Sequence, residues 1–142
     1  MKKAKIQSVM QTEKAGLFSI CFEGESYSEF EKFILAYRDN VSLSRDLQII
    51  LVALNRMMES TGFLERYFRP EGKMNDNVCA LPIQANKLRL YCLRLSDSVL
   101  IAGNGGVKDS RTYNENSELC GYVIDLQKLD ELIRLSVKKG DV

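Results

Sequence analysis

Histidine is absent from the sequence. Its absence removes Ser-His-Asp and Cys-His nucleophile systems, histidine metal sites and imidazole acid–base chemistry. Any catalysis must therefore use Lys, Arg, Tyr, Asp, Glu or a thiol. The four cysteines, Cys21, Cys79, Cys92 and Cys120, lie far apart with no C-x-x-C pair, a spacing that argues against a zinc site and a dithiol redox motif. No cofactor is expected. Long apolar runs are missing too: the longest, Ile49 to Leu54, falls far short of the roughly 20 residues that cross a bilayer. The opening MKKAKIQSVMQ has lysines but no apolar core or small-residue cleavage site, so no secretory signal is expected. Charge of one sign is not in excess, with 20 basic against 19 acidic residues and a net charge of +1. Nothing global steers the chain toward nucleic acid, and a local patch would have to do so.

What remains is the composition of an ordinary globular protein. A chain of 142 residues, 45% of them hydrophobic, fills one domain over 1–142 and can bury a core without metal or disulfide staples. Cys21, Cys79 and Cys92 sit inside strand-like runs, where a reduced thiol behaves as a small hydrophobe. Buried free thiols fit a reducing compartment, and the cytoplasm is the expected location.

Residues 5–12 and 17–23 flank EKAG, with Phe18, Ile20 and Phe22 alternating. This predicts an N-terminal β-hairpin in which Gly16 supplies the positive φ of the loop. In SYSEFEKFILAYRDN, Ser26 with Glu29 or Ser28 with Glu31 has capping-box spacing, and Phe30, Phe33, Ile34 and Tyr37 recur at helical intervals. A second helix is predicted over 44–60 on the stripe Leu47, Ile50, Leu51, Leu54, Met57 and Met58, with Gly62 as its stop. Ile49 and Val52 broaden that stripe and predict burial on more than one side. A frayed helical turn and loop follow near Pro70. Strands are predicted over 78–83, 87–95 and 98–103 as an antiparallel meander, with Pro82 marking an edge or a bend. Asp125 is the expected N-cap of a terminal helix with Leu126, Leu129, Leu132, Ile133 and Val137 on one face and Lys138 and Lys139 in its last turn. The fold class is α+β: hairpin, two helices, antiparallel meander and a C-terminal helix, with the helices covering one sheet face.

The period of two along KLRLYCLRL places Leu88, Leu90 and Cys92 on one face with Arg94 at its end, and Arg89, Tyr91, Leu93 and Leu95 on the other. If the first set meets the helices, Arg89 and Tyr91 point to an open face where Lys108, Arg111 and Tyr113 can gather. Between 87 and 111 five basic residues (Lys87, Arg89, Arg94, Lys108, Arg111) outnumber two acidic ones (Asp97, Asp109). Such a cluster can act on RNA without histidine, because the 2′-OH attacks the adjacent phosphorus. The protein need only orient it, stabilise charge on the phosphoryl oxygens and move protons. Tyr91 can stack a base. A plain solvent-facing hairpin accounts for each residue taken singly. The run GNGG at 103–106 lacks the ending of a phosphate-binding loop, so a glycine-rich bend or bulge leaving a strand explains it better; it would also let a nucleic-acid backbone approach.

The order of elements, with Arg89-Leu90-Tyr91, Ser96-Asp97-Ser98, Val99 to Gly103 and the basic run from Lys108 to Arg111, resembles the RelE/ParE superfamily of toxin–antitoxin toxins, in particular its HigB-like and phage-derived branches. The resemblance covers residues 78 to 139. It implies a ribosome-dependent mRNA endonuclease neutralised by an antitoxin protein. Arg89, Arg94, Lys108, Arg111 and Tyr113 are then the catalytic positions, and Lys87 and Tyr91 are RNA contacts. The ParE branch implies instead a gyrase poison. A reading from another class stands beside it: a non-catalytic interaction module, or inactive relative, that binds a protein partner through its sheet edge.

Overall fold

The computed structural model describes residues 3–71, 76–81, 87–107 and 117–139, with side chains of the last helix over 118–136. Pro82, Lys108, Arg111 and Tyr113 lie outside the described residues, as do the side chains of Val137, Lys138 and Lys139. Strands β1 (Ala4–Gln11) and β2 (Gly16–Phe22) form the expected hairpin. Helices α1 (Glu29–Tyr37) and α2 (Ser44–Arg56) follow, then β3 (Arg69–Pro70), β4 (Val78–Leu81), β5 (Leu88–Ser96), β6 (Val99–Val107) and α3 (Ser117–Lys139). All six strands belong to one sheet of order β1-β2-β6-β5-β4-β3. The meander β4-β5-β6 is antiparallel, and the hairpin joins it through a parallel pairing of β2 with β6.

The predicted α+β class is therefore found, but its layering differs from the expectation. Leu88, Leu90 and Cys92 of β5 pack with Phe30 and Phe33 of α1 and Leu47, Ile50 and Leu54 of α2. Tyr91 and Leu93, on the opposite face, pack with Leu119, Val123, Leu126 and Leu129 of α3. Helices cover both faces. The physical reason is that β5 and β6 carry large apolar residues at consecutive positions, and a strand hydrophobic on both sides must be buried on both.

Local chemistry sets the elements. Ser28 caps α1: its Oγ accepts from Glu31 N at 3.2 Å and its own N–H donates to Glu31 Oε1 at 3.0 Å. This is the second of the two capping boxes offered by the sequence. Ser19, fully buried in β2, donates to Ala102 O at 2.7 Å and accepts from Phe30 N at 3.1 Å, so one hydroxyl ties β2, β6 and the first turn of α1 together.

The α-helix α2 stops at Arg56, and the chain winds on as a π-helical turn over Met57–Thr61. Gly62 ends it at φ 81°, as predicted, with its N–H donating to Met57 O at 2.6 Å. A Cβ there would meet Asp97 O at 2.5 Å, so this glycine also lets the turn press onto the β5–β6 connection.

Four expectations are corrected. Gly16 does not have positive φ; it begins β2, and Thr12 organises the hairpin turn instead, its Oγ1 accepting from Lys14 N and Ala15 N and donating to Met58 O at 2.6 Å. Asp125 is not an N-cap but lies inside α3, which starts eight residues earlier because Leu119 and Val123 continue the buried stripe of Leu126 and Leu129. Leu132 of that predicted stripe is exposed. Ile49 and Val52 do not broaden the buried side of α2; they are 44% and 45% exposed.

Candidate interaction surface

Of the residues proposed from the sequence, the described ones, Lys87, Arg89, Tyr91 and Arg94, do not share an open face. Tyr91 is fully buried beneath α3, and Arg89, on the same side of β5 by strand alternation, is 7% exposed. The face expected to be open is covered because α3 packs across β4, β5 and β6. Arg89 Nη1 donates to Leu88 O at 3.2 Å, and burial, then the charge of Arg69, lowers the pKa of its guanidinium. Arg94 lies on the opposite face. Its Nε donates to Phe63 O at 2.7 Å and its Nη2 to Asp97 Oδ1 at 2.5 Å, so the acidic turn and the loop after α2 engage the guanidinium. Lys87 is exposed at the start of β5, where its N–H donates to Asp46 Oδ2 at 3.1 Å.

The GNGG run is a bulge inside β6 rather than an exit from it. Leu90 pairs with Gly105 and Cys92 with Ala102, so β6 carries one extra residue there. No room is left for a nucleic-acid backbone. A Cβ on Gly103 would meet Leu126 at 3.2 Å and one on Gly106 would meet Leu119 at 3.0 Å, so these glycines let α3 lie close against the sheet. Asn104 turns toward α1, its Nδ2 donating to Glu29 Oε1 at 3.4 Å. Glu29 also pairs with Lys32 at 2.8 Å, and Lys32 with Glu25. Burial lowers the Lys32 pKa, but the hydrogen bonds to Glu25 and Glu29 outweigh it and the net shift is upward. Nearby, burial, and then Glu118, raises the pKa of Tyr122.

Burial pushes the Cys79 thiol up to about 12 and holds Cys92 well above its ordinary value, so both remain neutral packing groups. Among the described residues no group of three or more His, Cys, Asp or Glu is placed to hold a metal ion, and no helix is long and apolar enough to cross a membrane.

The unfilled surface lies elsewhere. Strand β1 is one edge of the sheet, opposite the two-residue edge strand β3, and all eight of its residues are exposed, including Ile6 at 50%, Val9 and Met10. It pairs with β2 from Ala4↔Phe22 to Gln11↔Gly16 with an irregularity between Ser8 and Met10, which leaves its outer row of backbone groups facing solvent. Beside it opens a cleft of about 850 Å³ lined by Ile6, Ile20, Phe22, Leu129 and Leu132, with Lys3, Lys5 and Glu23 at its rim.

Comparison with known proteins returns nothing: no family model, no curated protein and no solved structure matches this chain. The surface rests on its own geometry. In the sequence, Ile6 and Met10 fall on one strand face and Val9 on the other.

Proposed function

We propose that this chain is a protein-interaction module that takes up an extended segment of a partner protein along β1, as an added strand. The observation that carries the reading is the eight-residue edge strand with no covered face. Exposed edges are normally shortened, charged or blocked, because they template pairing with another chain; β1 has a single charged residue, Lys5, and no proline. Strand addition supplies main-chain hydrogen bonds, while alternate side chains of the incoming segment reach the cleft between β1, β2 and α3. The buried, unpaired cysteines fit a reducing compartment, so the partner is sought in the cytoplasm.

The rival is the toxin-like RNA endonuclease neutralised by an antitoxin. It needs Arg89, Arg94, Lys108, Arg111 and Tyr113 to act together with Lys87 and Tyr91; of these Arg89 and Arg94 lie on opposite faces of β5 and Tyr91 lies under α3, while Lys108, Arg111 and Tyr113 are outside the described residues. A photo-crosslinking residue at Gln7 separates the two readings in living cells. A protein adduct mapping to one extended peptide, and lost in the Ile6→Lys/Val9→Lys variant, is expected. An adduct to a second copy of this chain would replace the partner with the chain itself. Crosslinked RNA, or growth arrest on induced expression, would overturn the proposal in favour of the toxin-like reading.

A further inference from the structure

A second surface, independent of β1, lies on the outer side of α2. Arg45, Ile49, Val52 and Arg56 fall at helical spacing on one exposed stripe, two arginines enclosing two aliphatic side chains. The facing wall comes from the turn over Glu65–Tyr67 and from β4: Arg66, Tyr67 and Leu81 close a groove of about 740 Å³ whose floor includes Ala53 and Met57. The guanidinium of Arg66 sits 5.2 Å from the centre of the Tyr67 ring. Hydrogen bonding from Thr61 first, and the charge of Arg66 after it, lowers the Tyr67 pKa.

Among the described residues, three arginines line this groove and no acidic residue does. Among the described residues none of the three is in an ion pair. The acidic neighbours are turned to other tasks: Asp46 accepts from the backbone N–H groups of Lys87 and Leu88, and Glu59 accepts from Asn55. The chain as a whole carries +1, so a groove with three cations and no anion is a local concentration of charge, not a reflection of composition. Two exposed aliphatics lie between the cations, Ile49 at 44% and Val52 at 45% exposure, so the groove offers apolar contact beside its charge.

We infer that this groove binds an acidic amphipathic helix of a partner protein. The occupant follows from complementarity. The apolar floor takes apolar side chains one turn apart, and the end arginines take carboxylates. Arg45 and Arg56 are eleven residues apart on α2, so the matching carboxylates lie about 16 Å apart, about three turns along the incoming helix. Arginine suits this role because its planar fork pairs a carboxylate bidentately and its hydration shell is weak. An RNA strand would meet the cations, yet its phosphates gain nothing from Ile49 and Val52, so the apolar floor favours a protein helix. The surface shares no lining residue with the β1 cleft, so the two proposals stand or fall separately.

The test is a selection from a displayed library of helical peptides on the intact protein, run in parallel on the Arg45→Glu/Arg56→Glu variant. Both positions are exposed, and circular dichroism checks that the variant folds. Recovered peptides are expected to combine Asp and Glu with an apolar i, i+3, i+4 stripe. Their affinity, read by fluorescence anisotropy, should fall at least about tenfold in the charge-reversed variant and decline with added salt. Val52→Asp should weaken them as well, while Ile6→Lys should leave them unchanged. Selection without acidic enrichment, or peptides that bind the reversed variant equally well, overturns the proposal. Displacement of the selected peptides by single-stranded RNA at lower concentration than by the free peptide overturns it too, and assigns the groove to RNA.

Discussion

Replacing Gly105 by alanine asks whether the glycine run in β6 serves packing or ligand approach. A Cβ at this position would overlap the Arg89 carbonyl oxygen and stand 2.9 Å from both the Arg89 carbonyl carbon and Phe33 Cε1. Carbon atoms prefer separations of about 3.5–4.0 Å, so the neighbours must retreat by more than about half an ångström. The nearest of them are backbone atoms of β5, held by pairing on both sides of the bulge, and Phe33 is fully buried. Overpacking of this kind costs about 1–3 kcal/mol, and loosening one or two ladder hydrogen bonds adds about 1 kcal/mol each. A total near 3 kcal/mol corresponds to a fall of roughly 6–12 °C in Tm for a domain of this size.

Two other glycines calibrate the result. A Cβ on Gly106 would meet the end of the Leu119 side chain at 3.0 Å, which can shift, so Gly106→Ala should cost less. On Gly121 within α3 it would meet nothing within 4 Å, so Gly121→Ala should stabilise by about 0.5–1 kcal/mol. Thermal and urea unfolding followed by circular dichroism give the order. Wild-type stability in Gly105→Ala would refute the packing account and reopen the bulge as a place where a ligand comes close.

Three further outcomes are expected. Ser19→Ala removes the acceptor of the buried Phe30 N–H and the donor to Ala102 O, and should lower stability by about 1–3 kcal/mol in urea unfolding; an unchanged midpoint would show that the junction of β2, β6 and α1 is held by packing alone. Ser28→Ala breaks the capping box of α1 and should cost about 1 kcal/mol, with faster amide exchange in the first turn as the local readout. Cys79 has its folded pKa raised from 9.0 to about 12, so the native state binds the proton more tightly than the unfolded one. Its contribution to stability is complete below about pH 9 and is lost as pH rises toward 12, by up to about 1.4 kcal/mol per unit. A stability curve that is flat or rising above pH 9, or rapid alkylation of Cys79 in the native protein at pH 8, would contradict that burial.

The elements were legible where local chemistry specifies them. The capping spacing of Ser28 and Glu31, the helical stripe from Leu47 to Met58, and Gly62 as the stop of that stretch all operate within a few residues, and the structure contains each. The hairpin and meander were equally plain, because alternation and turn residues act locally. The faces of the sheet were not. Reading β5 as one buried and one open side gave weight to the charge of Arg89 and too little to the apolar neighbours Tyr91 and Leu93, which with Ile101 require a second covering layer. The start of α3 was missed because Asp125 offered a local cap, whereas Leu119 and Val123 declare themselves only when a sheet lies beneath them.

By itself the sequence determined the order of hairpin, two helices, meander and terminal helix, the absence of imidazole chemistry and the near-neutral charge. Those properties depend on residue identity and on neighbours a few positions away. Tertiary structure alone decided that β2 joins β6 in parallel, that α3 closes the face carrying Arg89 and Tyr91, and that β1 and the outer stripe of α2 stay uncovered. Burial is set by what arrives from distant parts of the chain, and a side chain's surroundings are fixed only when that packing is complete.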